Sequence, residues 1–171
     1  MLAQRPLQPA HRAEAGALSA ALASGISLRE LTLEDLPEGY EAVMRVWAEA
    51  GLPFRPEGRD RPDKVAAELK AGTAIFLLAE DAGRLVGVVI ATSDGRKGWI
   101  NRLAVSPDHR RRGIAAQLVR DVEARLRGAG IDVIAALIES HNQESLAFFR
   151  SLGYIHDERV EYVSTRRCGE S

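Results

Sequence analysis

Arg110-Arg111-Arg112-Gly113-Ile114-Ala115 stands between two stretches of different rhythm. Before it, Trp99-Ile-Asn-Arg-Leu-Ala-Val105 reads as a strand. After it, Ile114 to Arg127 reads as a helix with Ile114, Leu118, Val122 and Leu126 on one face. A strand, a short glycine turn and a helix leave the first helical N–H groups without internal partners, at the positive end of the dipole. Such a helix start binds anions. Gly113 has no Cβ, so the backbone there can approach a ligand closely. Three adjacent arginines add positive charge. The implied feature is a phosphate or pyrophosphate cradle. The same six residues also fit a solvated basic loop before an ordinary helix. No Gly-Lys-Ser/Thr follows and the three spaced glycines of a dinucleotide turn are missing, so neither of those phosphate motifs is present.

Working outward, Ile26 to Leu31 alternates apolar and polar residues as a half-buried strand does. Thr32 and Asp35 form a weak capping box for a helix in which Leu36, Tyr40, Val43, Val46 and Trp47 recur, ended by Gly51. Leu52 to Pro62 holds three prolines and a glycine and reads as irregular. Asp63 to Lys70 is a second short helix, stopped by Gly72. Ala74 to Glu80 and Arg84 to Thr92 are near-continuous apolar runs joined by Asp81-Ala-Gly83, the pattern of a hairpin covered on both faces. Asp94 to Gly98 is the turn into the Trp99 strand. Gly128-Ala-Gly130 ends the helix after the arginines, and Asp132 to Ile138 reads as a further buried strand. Asn142 caps a helix whose buried face takes Ser145, Phe148, Phe149 and Leu152, stopped by Gly153. Tyr154 to Thr165 is expected to add two short strands or one bent ribbon. The order β-α-α-β-β-β-α-β-α-β-β predicts an α/β (α+β) domain with a mixed sheet and helices on both faces.

The chain has 171 residues, a formal net charge of −1 and one cysteine, Cys168. That length suits one domain with a real core. The charge balance gives no field favouring nucleic acid or an anionic membrane, and Arg110 to Arg112 is too short a basic run to revive nucleic-acid binding. No apolar stretch reaches the ~20 residues that span a bilayer. One cysteine excludes an internal disulfide framework and fits a cytoplasmic location. Residues 1–25 read as an N-terminal extension, with Ala13 to Ser24 able to form a short helix; residues 26–167 form the domain and 168–171 a tail.

Arg-x-x-Gly-x-Ala, preceded by Leu103-Ala104-Val105-Ser106-Pro107-Asp108, resembles the acetyl-coenzyme A motif of the GNAT superfamily of N-acetyltransferases. Asn142-Gln-Glu-Ser-Leu-Ala-Phe148-Phe149-Arg-Ser-Leu-Gly153-Tyr154 is similar to that superfamily's later motif, and the two stand in the expected order. Gly98 to Val105 and Trp47…Gly51-Leu-Pro look most like a bacterial group of small acetyltransferases. The resemblance implies a mostly antiparallel sheet with splayed central parallel strands, and direct acetyl transfer from acetyl-coenzyme A to a primary amine of a small molecule, peptide or protein. It implies that Leu103, Ala104 and Val105 bond the pantetheine arm. The Val105 N–H would meet the thioester oxygen. The N–H groups from Arg111 through Gly113, Ile114, Ala115 and Ala116 would take the pyrophosphate, with Arg110, Arg111 and Arg112 around it and Asn142 and Phe149 beside the coenzyme. No metal is implied.

One departure is chemical. The superfamily commonly carries Tyr where Phe149 stands, as the acid for the leaving thiolate, and Phe149 has no hydroxyl. A thiol of pKa about 8.5 leaves without full protonation, Tyr154 or Tyr162 could substitute, or the protein could be a non-catalytic acyl-coenzyme A sensor. The base is open as well. Glu139, beside His141 at the end of the Asp132 strand, is the first candidate, and Asn101 could orient the acceptor. Each also has a plain reading: a solvated carboxylate, a half-buried amide bonded to backbone, and for Asn142 a helix cap. Arg55, Arg59 and Arg61 suggest either an acidic acceptor or a solvated loop. A homodimer is compatible with the expected C-terminal edge strands.

Overall fold

The computed structural model describes residues 25–165. The helix expected over Ala13 to Ser24 and the Cys168 tail lie outside them. The elements are β1 (Ile26–Glu30), α1 (Glu38–Ala50), α2 (Pro62–Ala71), β2 (Ala74–Asp81), β3 (Arg84–Ser93), β4 (Lys97–Val105), α3 (Ile114–Gly128), β5 (Val133–Ala136) and α4 (Gln143–Ser151). Single 3-10 turns cover Leu33–Asp35 and Pro107–His109. The strands form one sheet in the order β1-β2-β3-β4-β5. Neighbours are antiparallel except β4 and β5, which are parallel. No helix among the described residues is long and apolar enough to cross a membrane.

The sheet divides two apolar layers. On one face Val43, Val46 and Trp47 of α1 and Val65 of α2 pack on Phe76, Leu78, Val88, Ile90 and Ala104. On the other, Ile114, Leu118, Val119, Val122 and Leu126 of α3 and Phe149 of α4 pack on Leu77, Ala79, Val89, Ile100 and Val105. Cover on both sides explains the unbroken apolar runs of β2 and β3. Ala82 and Gly83 both have positive φ, 49° and 79°, as a two-residue hairpin turn requires. Pro62 opens α2 and Gly72, with φ 61°, closes it.

Several expectations change. The Thr32–Asp35 box closes the first 3-10 turn, with the Thr32 N–H and Oγ1 both donating to Asp35 Oδ2; α1 itself starts after Pro37, at Glu38. The strand expected over Asp132 to Ile138 is only four residues long, partly exposed, and lies at the sheet edge, so the parallel pair sits at that edge and not in the middle. The described part of Tyr154 to Thr165 forms no strand. The segment turns at Asp157, whose carboxylate accepts from the Arg159 backbone and guanidinium while the Val160 N–H closes back on the Asp157 carbonyl. A local side-chain turn of this kind competes with strand pairing. In α4 the buried residues are Leu146 and Phe149, with Ser145, Phe148 and Leu152 half-buried.

Candidate active site

Asn101 is an extra residue in β4. Ile100 lies opposite Ala91 and Arg102 opposite Ile90, so Asn101 has no partner across the ladder. Such a bulge bends its strand and increases the local twist. The parallel ladder with β5 runs from Lys97↔Val133 to Ile100↔Ala136 and stops there. Strand β4 continues for five residues beyond this point with no strand paired on that side, which leaves a gap in the ladder toward the chain leaving β5.

The bulge also reverses which residues face which layer. Ile100 belongs to the α3 layer, whereas Arg102 lies 4.7 Å over the Trp47 ring in the α1 layer, with Leu103 and Val105 on the α3 side and Ala104 on the α1 side. Asn101 Nδ2 donates to Thr92 Oγ1 at 2.8 Å. Backbone groups in β4 alternate as well. The Ser106 N–H donates to the Val86 carbonyl at 2.8 Å. Antiparallel pairing therefore turns the N–H and C=O of Ala104 toward β3 and those of Leu103 and Val105 away from it, into the gap.

Past Val105 the chain passes one 3-10 turn and reaches the arginines. Arg111 and Gly113 both adopt left-handed conformations, with φ 62° and 78°. The first bond of α3 runs from the Gln117 N–H to the Gly113 carbonyl, 3.0 Å. None of the described residues accepts a hydrogen bond from the N–H groups of residues 111 to 116. A Cβ added at Gly113 would meet no atom within 4 Å, so a ligand has open access to that backbone. The turn fits a pyrophosphate through free amides, the helix dipole and room for oxygens.

The three arginines do different things. Arg110 folds back, its guanidinium donating to the Val105 and Ala50 carbonyls. Arg112 pairs with Asp81 at 2.9 Å, where His109 Nε2 also approaches to 3.3 Å. Arg111 is exposed and makes no ion pair among the described residues. A second tie crosses the layers: Ser106, itself buried, donates its hydroxyl to Glu49 Oε2 at 2.6 Å. That bond, with Arg45 and Arg84 around the carboxylate, holds Glu49 below the usual glutamate pKa.

Beyond the gap, Asn142 caps α4, its Oδ1 accepting from the Ser145 N–H at 3.0 Å. Glu139 and His141 form an exposed pair at 3.3 Å, with the Glu139 side chain 74% accessible. Phe149 is only 6% exposed and meets Phe148 and Tyr154 edge to face at 5.2 and 4.9 Å. The Tyr154 hydroxyl donates to Glu123, and burial followed by this bond raises its pKa. It is therefore committed to α3. Tyr162 is exposed.

Comparison with known proteins bears on the whole arrangement. The family described as the acetyltransferase (GNAT) family matches residues 36–154. The chain belongs to that family. Acetyltransferase SG1711 of Sodalis glossinidius (strain morsitans) is 30% identical over 129 residues, covering 75% of this chain and 89% of that protein. The GNAT fold recurs in solved structures. AAC(6')-Iy, in complex with a bisubstrate analogue joining coenzyme A to monomethyl-acetylneamine, aligns with TM-score 0.69 at 22% identity, covering 84% of this chain and 100% of that one. The aminoglycoside acetyltransferase meta-AAC0020 from an uncultured soil metagenomic sample, in complex with sisomicin, aligns with TM-score 0.71 at 16% identity, covering 84% and 97%. PaiA N-acetyltransferase of Thermoplasma acidophilum, in complex with coenzyme A, aligns with TM-score 0.64 at 19% identity, covering 74% and 87%. This GNAT chain is an acetyl-coenzyme A-dependent N-acetyltransferase, with acetyl-coenzyme A as its co-substrate. Among the described residues no group of three His, Cys, Asp or Glu side chains is gathered to hold a metal.

Two residues of this GNAT domain escaped the sequence reading. Asp60 is 8% exposed and Arg102 reaches both of its carboxylate oxygens at 3.0 Å. An arginine inside the largely apolar Trp99–Val105 run was the available signal, since a buried guanidinium requires a partner. The loop arginines, by contrast, are partly matched close by: Arg61 by Asp63 at 2.9 Å, and Arg59 by Asp60 at 3.8 Å.

Proposed function

We propose that acetyl-coenzyme A lies along the gap between β4 and β5 and that a primary amine attacks its thioester there directly. One observation carries the reading: the Asn101 bulge coincides with the last β4–β5 pair, and β4 then runs on toward an open amide turn. The N–H groups of Arg111 to Ala116 take the pyrophosphate, with the exposed Arg111 side chain beside them. Leu103 offers the pantetheine its N–H and C=O as a neighbouring strand would, and Val105 its N–H, the Val105 carbonyl being taken by Arg110. Ala104 contributes only its position, because its backbone faces β3. Arg110 acts on the turn from behind, through Ala50 and Val105. Phe149 supplies apolar floor, and Asn142 keeps its Nδ2 group for the ligand while Oδ1 caps α4.

In the reaction the neutral amine nitrogen bonds to the thioester carbon. Charge grows on the carbonyl oxygen, where the Val105 N–H is the donor; preorganised donors act most at developing charge. The C–S bond then breaks, and coenzyme A leaves as thiolate and takes a proton from water. The amine's proton passes to Glu139, directly or through water, and Asn101 orients the acceptor. Complexes of structural relatives with sisomicin and an acetylneamine analogue support small-molecule amines as the first acceptors to try. The single cysteine suits a cytoplasmic enzyme.

The experiment is calorimetric titration with coenzyme A, followed by thiol release from acetyl-coenzyme A with aminoglycosides, polyamines and peptides bearing free N-termini. Micromolar binding and turnover of at least one amine are expected. No binding would overturn the placement of the coenzyme. Binding without turnover of any amine would favour the sensor reading over the enzyme.

A further inference from the structure

The segment from Leu52 to Arg61 cannot hold itself in place by a ladder. It contains two prolines, which lack N–H groups, and no regular structure. Beside the Phe54 ring packed against Trp47 and the Gly58 and Asp60 N–H groups donating to the Arg55 carbonyl, one buried pair ties it to the sheet. Arg102 donates to the Pro53 carbonyl at 2.5 Å and to both Asp60 oxygens at 3.0 Å, with its guanidinium over Trp47. Asp60 Oδ2 accepts the Arg55 N–H at 2.6 Å, and the Asp60 carbonyl accepts the Tyr40 hydroxyl at 2.9 Å. The side chains of Arg102 and Asp60 are 14% and 10% accessible. Burial lowers the Arg102 pKa and Asp60 supports its charge. The pair thus gathers both ends of the loop onto one strand residue.

That strand residue follows the Asn101 bulge. The bulge turns Arg102 into the α1 layer, where Asn101 also bonds Thr92, on the layer opposite α3. The loop is therefore fixed within one residue of the point where β4 parts from β5.

We propose that Arg102 and Asp60 are positioning residues for the acceptor, their buried pair fastening the 52–61 loop beside the bulge as the amine's wall of the reaction site. The inference rests on the coenzyme placement proposed above. Loop and coenzyme meet β4 on different sides, so loss of the pair should affect the amine and spare the nucleotide. Arginine's planar fork and its stacking on Trp47 are features lysine lacks.

The test is Arg102→Lys, which keeps the charge, with Tyr40→Phe as a milder variant that removes only the hydroxyl on the Asp60 carbonyl. The probes are coenzyme A alone and the best amine from the panel above. The expected result for Arg102→Lys is a coenzyme A affinity within twofold of the unaltered protein, an acceptor KM raised at least tenfold, a smaller change in kcat, and faster hydrogen exchange at the Arg55 amide. Tyr40→Phe should shift KM and exchange in the same direction, by less. Unchanged acceptor KM or unchanged Arg55 exchange in folded Arg102→Lys would overturn the proposal, as would coenzyme A affinity falling in step with acceptor affinity. Should Arg102→Lys not fold, Tyr40→Phe decides by the same readouts. If the unaltered protein turns over no amine, the function above fails, and the Arg55 exchange rate alone decides whether the pair orders the loop.

Discussion

Ile100 faces Ala136 in the last pair of the parallel ladder, and the next residue of β4, Asn101, faces nothing on β3. One position thus ends the pairing on one side of β4 and disturbs it on the other. Beyond it, alternate backbone groups of β4 are left without a strand to pair with.

Hydrogen exchange should resolve that alternation. The Leu103 and Val105 amides are expected to exchange fast in the free protein and to slow on addition of acetyl-coenzyme A. The Ala104 amide, turned to β3, should be protected in both states. Fast exchange at all three in the presence of saturating acetyl-coenzyme A would remove the strand-like role given to β4.

Gly113 has φ 78° with no atom near a new Cβ. Gly113→Ala should therefore cost only backbone strain, about 1 kcal/mol, read as a lowered urea midpoint. Gly113→Glu adds a negative charge at the proposed pyrophosphate turn and should weaken coenzyme A binding at least tenfold by calorimetry. Equal affinities for the unaltered protein and Gly113→Glu would disprove the cradle.

Phe149→Tyr asks whether the missing phenol matters. Phe149 is buried between Phe148 and Tyr154, so an added hydroxyl without a partner should destabilise by roughly 1–3 kcal/mol. The gain in kcat should stay well below the ~100-fold that a working general acid supplies. A larger gain in steady-state thiol release would show that the hydroxyl reaches the leaving sulfur.

Glu49 gives a pH signature. Its folded pKa lies below the ordinary glutamate value because Ser106, then Arg45, bonds the charged form. A depressed acid stabilises the fold above its unfolded pKa, and that contribution disappears as pH falls through the lower, folded value. Urea midpoints between pH 7 and pH 3 should fall more steeply for the unaltered protein than for Glu49→Gln. Parallel curves would mean that this tie does not support the fold.

Much of this was legible from residue order. The apolar runs of β2 and β3, the periodicity of Ile114 to Leu126 and the glycines at positions 72 and 83 each state a local rule that the fold obeys. Asn142 reads as a cap and is one. What was hidden depended on distance in sequence. Nothing local says that Arg110 reaches back to Ala50, that Arg112 is taken by Asp81, or that Asp60 waits for Arg102. Three consecutive arginines look equivalent as letters; tertiary partners engage two of them and leave Arg111 exposed. The C-terminal stretch differs for the opposite reason, because the Asp157–Arg159 turn is local and competes with the strand pairing expected there.

Helix α1 ends on the Glu49–Ser106 and Ala50–Arg110 bonds and passes, through left-handed Gly51, straight into the loop that Arg102 holds. Its last turn is a shared abutment: one side bears on the turn that meets the nucleotide, the other on the loop that meets the amine. A change in that turn itself should therefore weaken the nucleotide and the amine together, whereas a change in the Arg102–Asp60 pair reaches the amine's side alone.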